Sequence, residues 1–290
     1  MKPEHLVVTL LVPLSLAAAC SSPSRQPASV REFPLTGEVL AIKPDKSEVQ
    51  VKHDEVKGFM DAMTMWFNVK DPRLLDGIAP GDLVSATLVL TAEDSYLTGI
   101  RKTGSRPPGQ ATAPPPAPAE FLQVGDTVPD ITFTDEGGKP RPLSSYRGTY
   151  TLLTFIYTRC PLPDYCPRMN AHFAAVQRAV KAQPLLSRTV RLLSVSFDPV
   201  FDSPARLAAK AREFGADPQI WHFVTAPRNR IDPFGERLGL SVLREGDGGQ
   251  NITHNLRTAL LDRDGKLART YNGKEWSPEE VLRDLQAMVK

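Results

Sequence analysis

Hydrophobic and polar positions divide the chain into two stretches with different rhythms. In the first, apolar residues alternate with polar ones in short runs, which is the strand period. The runs are Gly37–Ile42, Glu48–His53, Met63–Val69, Leu83–Leu90 and Tyr96–Ile100. Pro44-Asp45, Asp71-Pro72 and Pro80-Gly81-Asp82 supply the turns between them. Five short strands in so little chain predict a small all-β, OB-like barrel.

In the second stretch apolar runs of strand length alternate with helical patterns. Thr151–Tyr157, Val190–Phe197, Ile220–Val224 and Thr258–Leu261 read as strands. Met169, Phe173, Val176 and Val180 fall on one face of a helix. Ser203-Pro204 and Ser277-Pro278-Glu279-Glu280 are helix starts, each with an N-cap serine and a proline in the first turn, the latter a capping box. This order predicts an α/β sheet.

Between the stretches, residues 105–119 read SRPPGQATAPPPAPA, a proline-rich linker with nothing apolar to bury beyond alanine. As polyproline II it would span roughly 45 Å at about 3.1 Å per residue. Ahead of the barrel, Leu6–Ala19 is an apolar run of signal-peptide length, too short for a membrane-spanning helix. It ends Leu16-Ala17-Ala18-Ala19-Cys20, which resembles a bacterial lipobox, with Ala17 where leucine is more usual. The alternative is an ordinary cleaved signal that leaves Cys20 incidental. The predicted organisation is a signal peptide (1–19), a tether beginning at the lipidated Cys20 (20–32), the barrel (33–104), the linker (105–119) and an α/β domain (120–290). Either N-terminal reading places the mature protein outside the cytoplasm, on the periplasmic side. Lipidation of Cys20 makes it a membrane-anchored lipoprotein.

Composition narrows the chemistry. Across 290 residues the net charge is +2, which gives no electrostatic reason to expect nucleic acid as a partner. Three cysteines are too few for a disulfide scaffold. Met60, Met63 and Met65 lie close together, and on a strand Met63, Met65, Phe67 and Val69 share one face while Thr64, Trp66 and Asn68 share the other. Val49, Val51 and His53 share a face of the preceding strand. If both faces point inward, an imidazole and two or three thioethers converge, a soft donor set suited to Cu(I) or Ag(I). The competing reading is that the methionines fill a core and His53 is a polar residue at its rim. The segment from His53 to Phe67, with the later Gly81-Asp82-Leu83-Val84, resembles the motif of CusF-like periplasmic copper-binding domains. That resemblance implies His53, Met63 and Met65 as Cu(I) ligands. Met60 stands where some relatives carry a tryptophan, as a fourth ligand or a lid. Acid release is expected as His53 protonates near its ordinary pKa of about 6.5.

Cys160 and Cys166 flank Pro-Leu-Pro-Asp-Tyr between a strand and a helix, with Pro167 suited to the first helical position. Cys166 then lies near the N-cap, where the helix dipole favours a thiolate. Such a pair forms either a soft metal site or a disulfide. With Gly125-Asp126, the run Phe155 to Pro161, the run Ser196 to Pro204 and Ile252-Thr253-His254, the domain resembles the Sco/SenC family of thioredoxin-like copper chaperones. The resemblance implies a thioredoxin-like fold and transfers ligand roles to Cys160, Cys166 and His254, holding Cu(I) or Cu(II). Asp198 and Asp202 match family positions and shape the turn before Ser203. The family usually has three residues between its cysteines, and here there are five. His172, in mid-helix, and His222, beside Trp221 on a strand, read as structural or solvated.

The expected function is an extracytoplasmic copper metallochaperone. Its implied partners are the copper-site subunit of cytochrome c oxidase or another cuproprotein, and a thiol reductant. One alternative is a thiol–disulfide oxidoreductase with Cys160 and Cys166 as its redox pair. Against it stand the absence of C-x-x-C and of a proline in Asn251-Ile-Thr-His254. The other alternative is copper resistance by sequestration.

Overall fold

The computed structural model describes residues 30–60, 62–92, 94–105, 121–245 and 251–289. The signal peptide, Cys20 and nearly all of the tether and linker lie outside the described residues.

The first stretch closes into a barrel of β1 (Arg31–Ile42), β2 (Glu48–His53), β3 (Met63–Val69), β4 (Asp82–Leu90) and β5 (Ser95–Ser105), in the order β1-β2-β3-β5-β4. β1 starts at Arg31 rather than Gly37 because it serves two neighbours: residues 31–38 pair with β4, and the ladder to β2 begins at Gly37. Pro34 is tolerated because at its position β1 has β4 alone as a partner. Where the ladders overlap, a Cβ on Gly37 would lie 2.7 Å from the Cα of His53 and 2.5 Å from the Lys52 carbonyl oxygen. Glycine is therefore what lets β2 approach at the level of His53. Leu35, Val39, Val49, Val51, Phe67, Val84, Leu88 and Leu97 fill the interior.

The second stretch forms a seven-stranded sheet. Its strands are β6 (Thr132–Asp135), β7 (Pro140–Pro142), β8 (Tyr150–Ile156), β9 (Val190–Ser196), β10 (Trp221–Thr225), β13 (Arg257–Leu261) and β14 (Leu267–Asn272). The separate hairpin β11 (Val242–Glu245) with β12 (Asn251–His254) stands outside it. The sheet order is β14-β13-β8-β9-β10-β6-β7, with β8, β9 and β10 parallel. Every residue of β8 is buried, as expected for a parallel strand covered on both faces. The helices are α1 (Cys166–Lys181), α2 (Pro184–Thr189), α3 (Pro204–Glu213), α4 (Arg228–Arg237) and α5 (Pro278–Met288). Ser194 of β9 reaches Asn170 of α1. Phe155, which follows Ser194's ladder partner Thr154, packs on Phe234 of α4. Adjacent strand residues point to opposite faces, so helices cover both.

The predicted helix face Met169, Phe173, Val176 and Val180 is fully buried. Ser277 caps α5 by accepting from the Glu280 N–H. Ser203 occupies the N-cap of α3, but its side chain makes no capping bond. In α1 the first helical residue is Cys166 rather than Pro167, because the Met169 N–H bonds the Tyr165 carbonyl and makes Tyr165 the N-cap.

Candidate metal and thiol sites

In the β2–β3 ladder His53 lies opposite Met63, and Val51 opposite Met65. All three candidate ligands are buried, and the ring of Phe67 meets His53 edge-on at 5.5 Å between centroids. His53 Nδ1 is 2.7 Å from the Asp54 carbonyl oxygen. A carbonyl only accepts, so Nδ1 carries the proton and Nε2 of the neutral ring is left with its lone pair. That Nε2 is buried and has no hydrogen-bond partner, which leaves a lone pair of the kind a soft metal ion takes. Burial holds the His53 pKa below the ordinary value, against the opposing effect of the Asp54 carbonyl. Acid release is therefore expected below pH 6.5 rather than at it. Met60 is buried in a tight turn whose backbone bonds run both ways to Val56. Trp66 lies on the other face of β3, only partly buried.

At the end of β8 the chain turns into the segment that holds the cysteines. The Thr158 N–H bonds Asp202 at 3.0 Å, the Thr158 hydroxyl bonds the same carboxylate, and Ser196 Oγ reaches it at 2.5 Å. Arg159 Nε bonds Asp198 at 2.8 Å. The two aspartates thus brace the approach to Cys160. Burial raises the Asp202 pKa in spite of those hydrogen bonds.

Both cysteines are free; Cys160 is half-buried and Cys166 buried. Burial opposes ionisation of Cys160, but hydrogen bonds from the Cys166 thiol and backbone outweigh it and bring its pKa below the ordinary thiol value. Burial, and then the neighbouring Cys160, drive the Cys166 thiol well above it. The pair is therefore asymmetric: a thiolate-prone cysteine in a partly exposed residue next to a buried protonated one. Buried Tyr157 hydrogen-bonds Cys160 and is pushed well above its ordinary pKa by desolvation and then by the neighbouring cysteines, Cys160 first.

His254, at the end of β12, packs perpendicular to Tyr157 at 5.5 Å and against Phe197 at 4.8 Å. Its Nδ1 bonds the Asn255 carbonyl at 2.8 Å, so it too is a neutral ring with a free Nε2 lone pair. Burial pushes its pKa down to about 4. The structure brings the two cysteines together, and His254 shares Tyr157 as a neighbour with Cys160. Among the described residues no three His, Cys, Asp or Glu side chains are gathered closely enough to hold a metal ion, so the Cys–Cys–His set is not preassembled. His222 is bonded to Glu136 at 2.9 Å, and His172 stacks edge-on with Trp276 at 4.7 Å. Both are structural.

The sequence reading missed the residues that join the two domains. Asp164, between the cysteines, has no exposed surface. It accepts from Ser95 Oγ at 2.5 Å, Asn68 Nδ2 at 3.1 Å and Lys274 Nζ at 2.6 Å. Tyr165 donates its hydroxyl to the Trp66 carbonyl at 2.6 Å, and Thr253 donates its own to the Thr64 carbonyl. A polar Asp-Tyr in a proline-flanked loop carries no one-dimensional signal of such a role.

Comparison with known proteins places both halves. The SCO1/SenC family model matches residues 121–290, and the model for copper binding periplasmic protein CusF matches residues 32–102. The SCO1 protein homolog of Bacillus subtilis is 30% identical over 162 residues, covering 55% of this chain and 81% of that protein. A SCO1/SenC family lipoprotein from Bacillus anthracis superposes with a TM-score of 0.50 at 26% identity, over 57% of this chain and 95% of that one. The copper-bound ScoI of Bradyrhizobium japonicum is 26% identical, with a TM-score of 0.48 over 56% of this chain and 99% of that one. The family model, which matches more than half of the chain, and the Bacillus subtilis relative make the chain a member of the SCO1/SenC family that carries a CusF-like barrel ahead of the family domain.

Proposed function

We propose that the protein is an extracytoplasmic copper metallochaperone, held to a membrane through a lipidated Cys20, that serves the copper site of cytochrome c oxidase by delivering copper or reducing that site's thiols. The observation that carries this reading is the buried, unpartnered Nε2 of His53, opposite Met63 on a strand that also carries Met65. A neutral imidazole with two thioethers suits Cu(I) and suits harder divalent ions poorly. The copper-binding description of the matching CusF family model supports the same cargo.

In the second site, Cys160 and Cys166 supply two sulfurs and His254 a third donor, provided the ring moves from its rest against Tyr157 and Phe197. Both thiols must shed protons to bind copper, so loading releases them. A disulfide between them removes both ligands at once. Regenerating the dithiol takes two electrons and two protons from an external thiol reductant, which becomes a disulfide in turn.

A second reading, thiol–disulfide exchange, has its own supporting observation in the asymmetry of the pair. Attack by a partly exposed, thiolate-prone Cys160 followed by resolution through Cys166 is the arrangement a reductase uses.

Copper per chain after gel filtration, with thiols counted in parallel, separates the readings. The metallochaperone should hold two copper ions when reduced and one, in the barrel, as the disulfide. Equal copper in both states would make the pair a redox centre. A deletion strain complemented with Cys160→Ser should lack oxidase activity in copper-poor medium; full activity would leave sequestration as the function.

A further inference from the structure

The two residues that hydrogen-bond the edge of β3 beyond its pairing with β5 are the immediate neighbours of candidate ligands. Tyr165 precedes Cys166 and reaches the Trp66 carbonyl; Thr253 precedes His254 and reaches the Thr64 carbonyl. Trp66 and Thr64 are two residues apart, so β3 runs from the Cys166 side of the site to the His254 side. Beside it, Asp164 of the cysteine loop draws two of its donors, Ser95 and Asn68, from the barrel. Its third, Lys274, also donates to Asn68 Oδ1 at 2.8 Å and lies 5.0 Å from the Tyr165 ring centroid.

We infer that the loop between the cysteines is the seat on which the barrel docks, and that the docked barrel covers the Cys160–Cys166–His254 face against protein-sized partners. The extra length of this loop, compared with the usual family spacing, has a use on this account: it carries Asp164 and Tyr165 out to the barrel. The bonds between the domains are polar, and the buried Asp164 carboxylate to which the barrel donates is a group that water solvates well once the domains part. Such an interface is built to separate. Cys160 keeps partial exposure in the docked chain, so small thiols reach it while a folded partner must wait for the barrel to leave. Coupling is reciprocal: a bond or ligand at the cysteines that shifts the loop alters docking by the same factor that docking alters its formation. The inference holds whether the thiols carry copper or exchange a disulfide, and its test contains neither.

The test uses the reduced, metal-free full-length chain with two thiol reagents, iodoacetamide and a polymer-tailed maleimide. Modification of Cys160 is followed by peptide mass spectrometry. The variant Asn68→Ala with Ser95→Ala removes the barrel's share of the Asp164 contacts without touching the thiol domain. The bulky reagent should gain on the order of tenfold in rate, while iodoacetamide changes less than about twofold. Equal acceleration of both reagents, or of neither, overturns the inference. If the double variant loses barrel structure by circular dichroism, Tyr165→Phe, which deletes one hydroxyl, should shift the same ratio in the same direction by a smaller factor. An unshifted ratio in that variant also overturns it.

Discussion

Met63 stands directly across from His53 in the β2–β3 ladder, and the buried Nε2 of that histidine has no polar partner. Met63→Leu with Met65→Leu keeps volume and apolarity, so each change should cost less than about 1.5 kcal/mol of stability. The isolated match of strands and interior should survive, and Cu(I) affinity should fall by at least about tenfold, the effect of losing 1.4 kcal/mol of ligation. Competition against a chromophoric Cu(I) chelator measures it. Unchanged affinity would return the methionines to core packing.

Acid should weaken the metal-free fold through His53 and His254. His53 and His254 both bind protons less readily folded than unfolded, where the pKa is near 6.5. Between about pH 6.5 and the folded value the unfolded chain holds more protons, so stability is full above that window and falls as pH drops through it. For His254, whose folded value is about 4, the loss amounts to about 3 kcal/mol at most. Denaturant midpoints across this range should slope downward toward acid, and His254→Gln should flatten the slope. An unchanged slope in that variant would place the titration elsewhere.

Asp202→Ala should loosen the ground beneath Cys160. The carboxylate accepts from the Thr158 backbone and from Ser196, and its removal strands buried donors at about 1–3 kcal/mol each. Urea unfolding should report a loss of about 2–3 kcal/mol, and limited proteolysis should cut sooner after Tyr157. Wild-type stability would mean that ordered water replaces the carboxylate.

Lipidation of Cys20 is the prediction farthest from the described residues. Mass spectrometry of the mature protein should find a diacylglyceryl group on Cys20, and Cys20→Ser should move the protein from membrane to soluble fractions. A mature N-terminus beyond Cys20 would sink it.

Much of this structure is legible in one dimension. Strand alternation gave all five barrel strands, three of them within one residue at each end, because one face of each is buried and the pattern has period two. Helix α1 and its buried face were equally plain. Helix α4 was not, since Pro233 within a polar run reads as a breaker, and β6, β7, β11 and β12 are too short for a period to emerge. In the site, Cys160, Cys166, His254 and His53 stand out in the sequence by residue type and resemblance. What was unreadable is pairwise: the partners of Asp164 are 69, 96 and 110 positions away, and no local pattern encodes a contact at that separation. The distance between His254 and the thiols is likewise set by how Tyr157 and Phe197 pack.

Closure of the barrel limits how anything enters it. The ladder that runs from β1 through β2, β3, β5 and β4 and back is thinnest between β3 and β5, which pair only at Asn68–Tyr96 and Val69–Leu97; beyond that pairing the Trp66 and Thr64 carbonyls bond Tyr165 and Thr253 of the other domain. His53 and Met63 pair at the end of the β2–β3 ladder, where the chain leaves one strand and returns on the other through the Val56–Met60 turn. With that edge of β3 covered by the other domain, an ion bound for the histidine nitrogen would pass this mouth, which a turn a few residues long closes. Exchange rates for the bound ion should follow the opening of this turn, whereas affinity follows the ligands beneath it, so the two can be tuned by different residues.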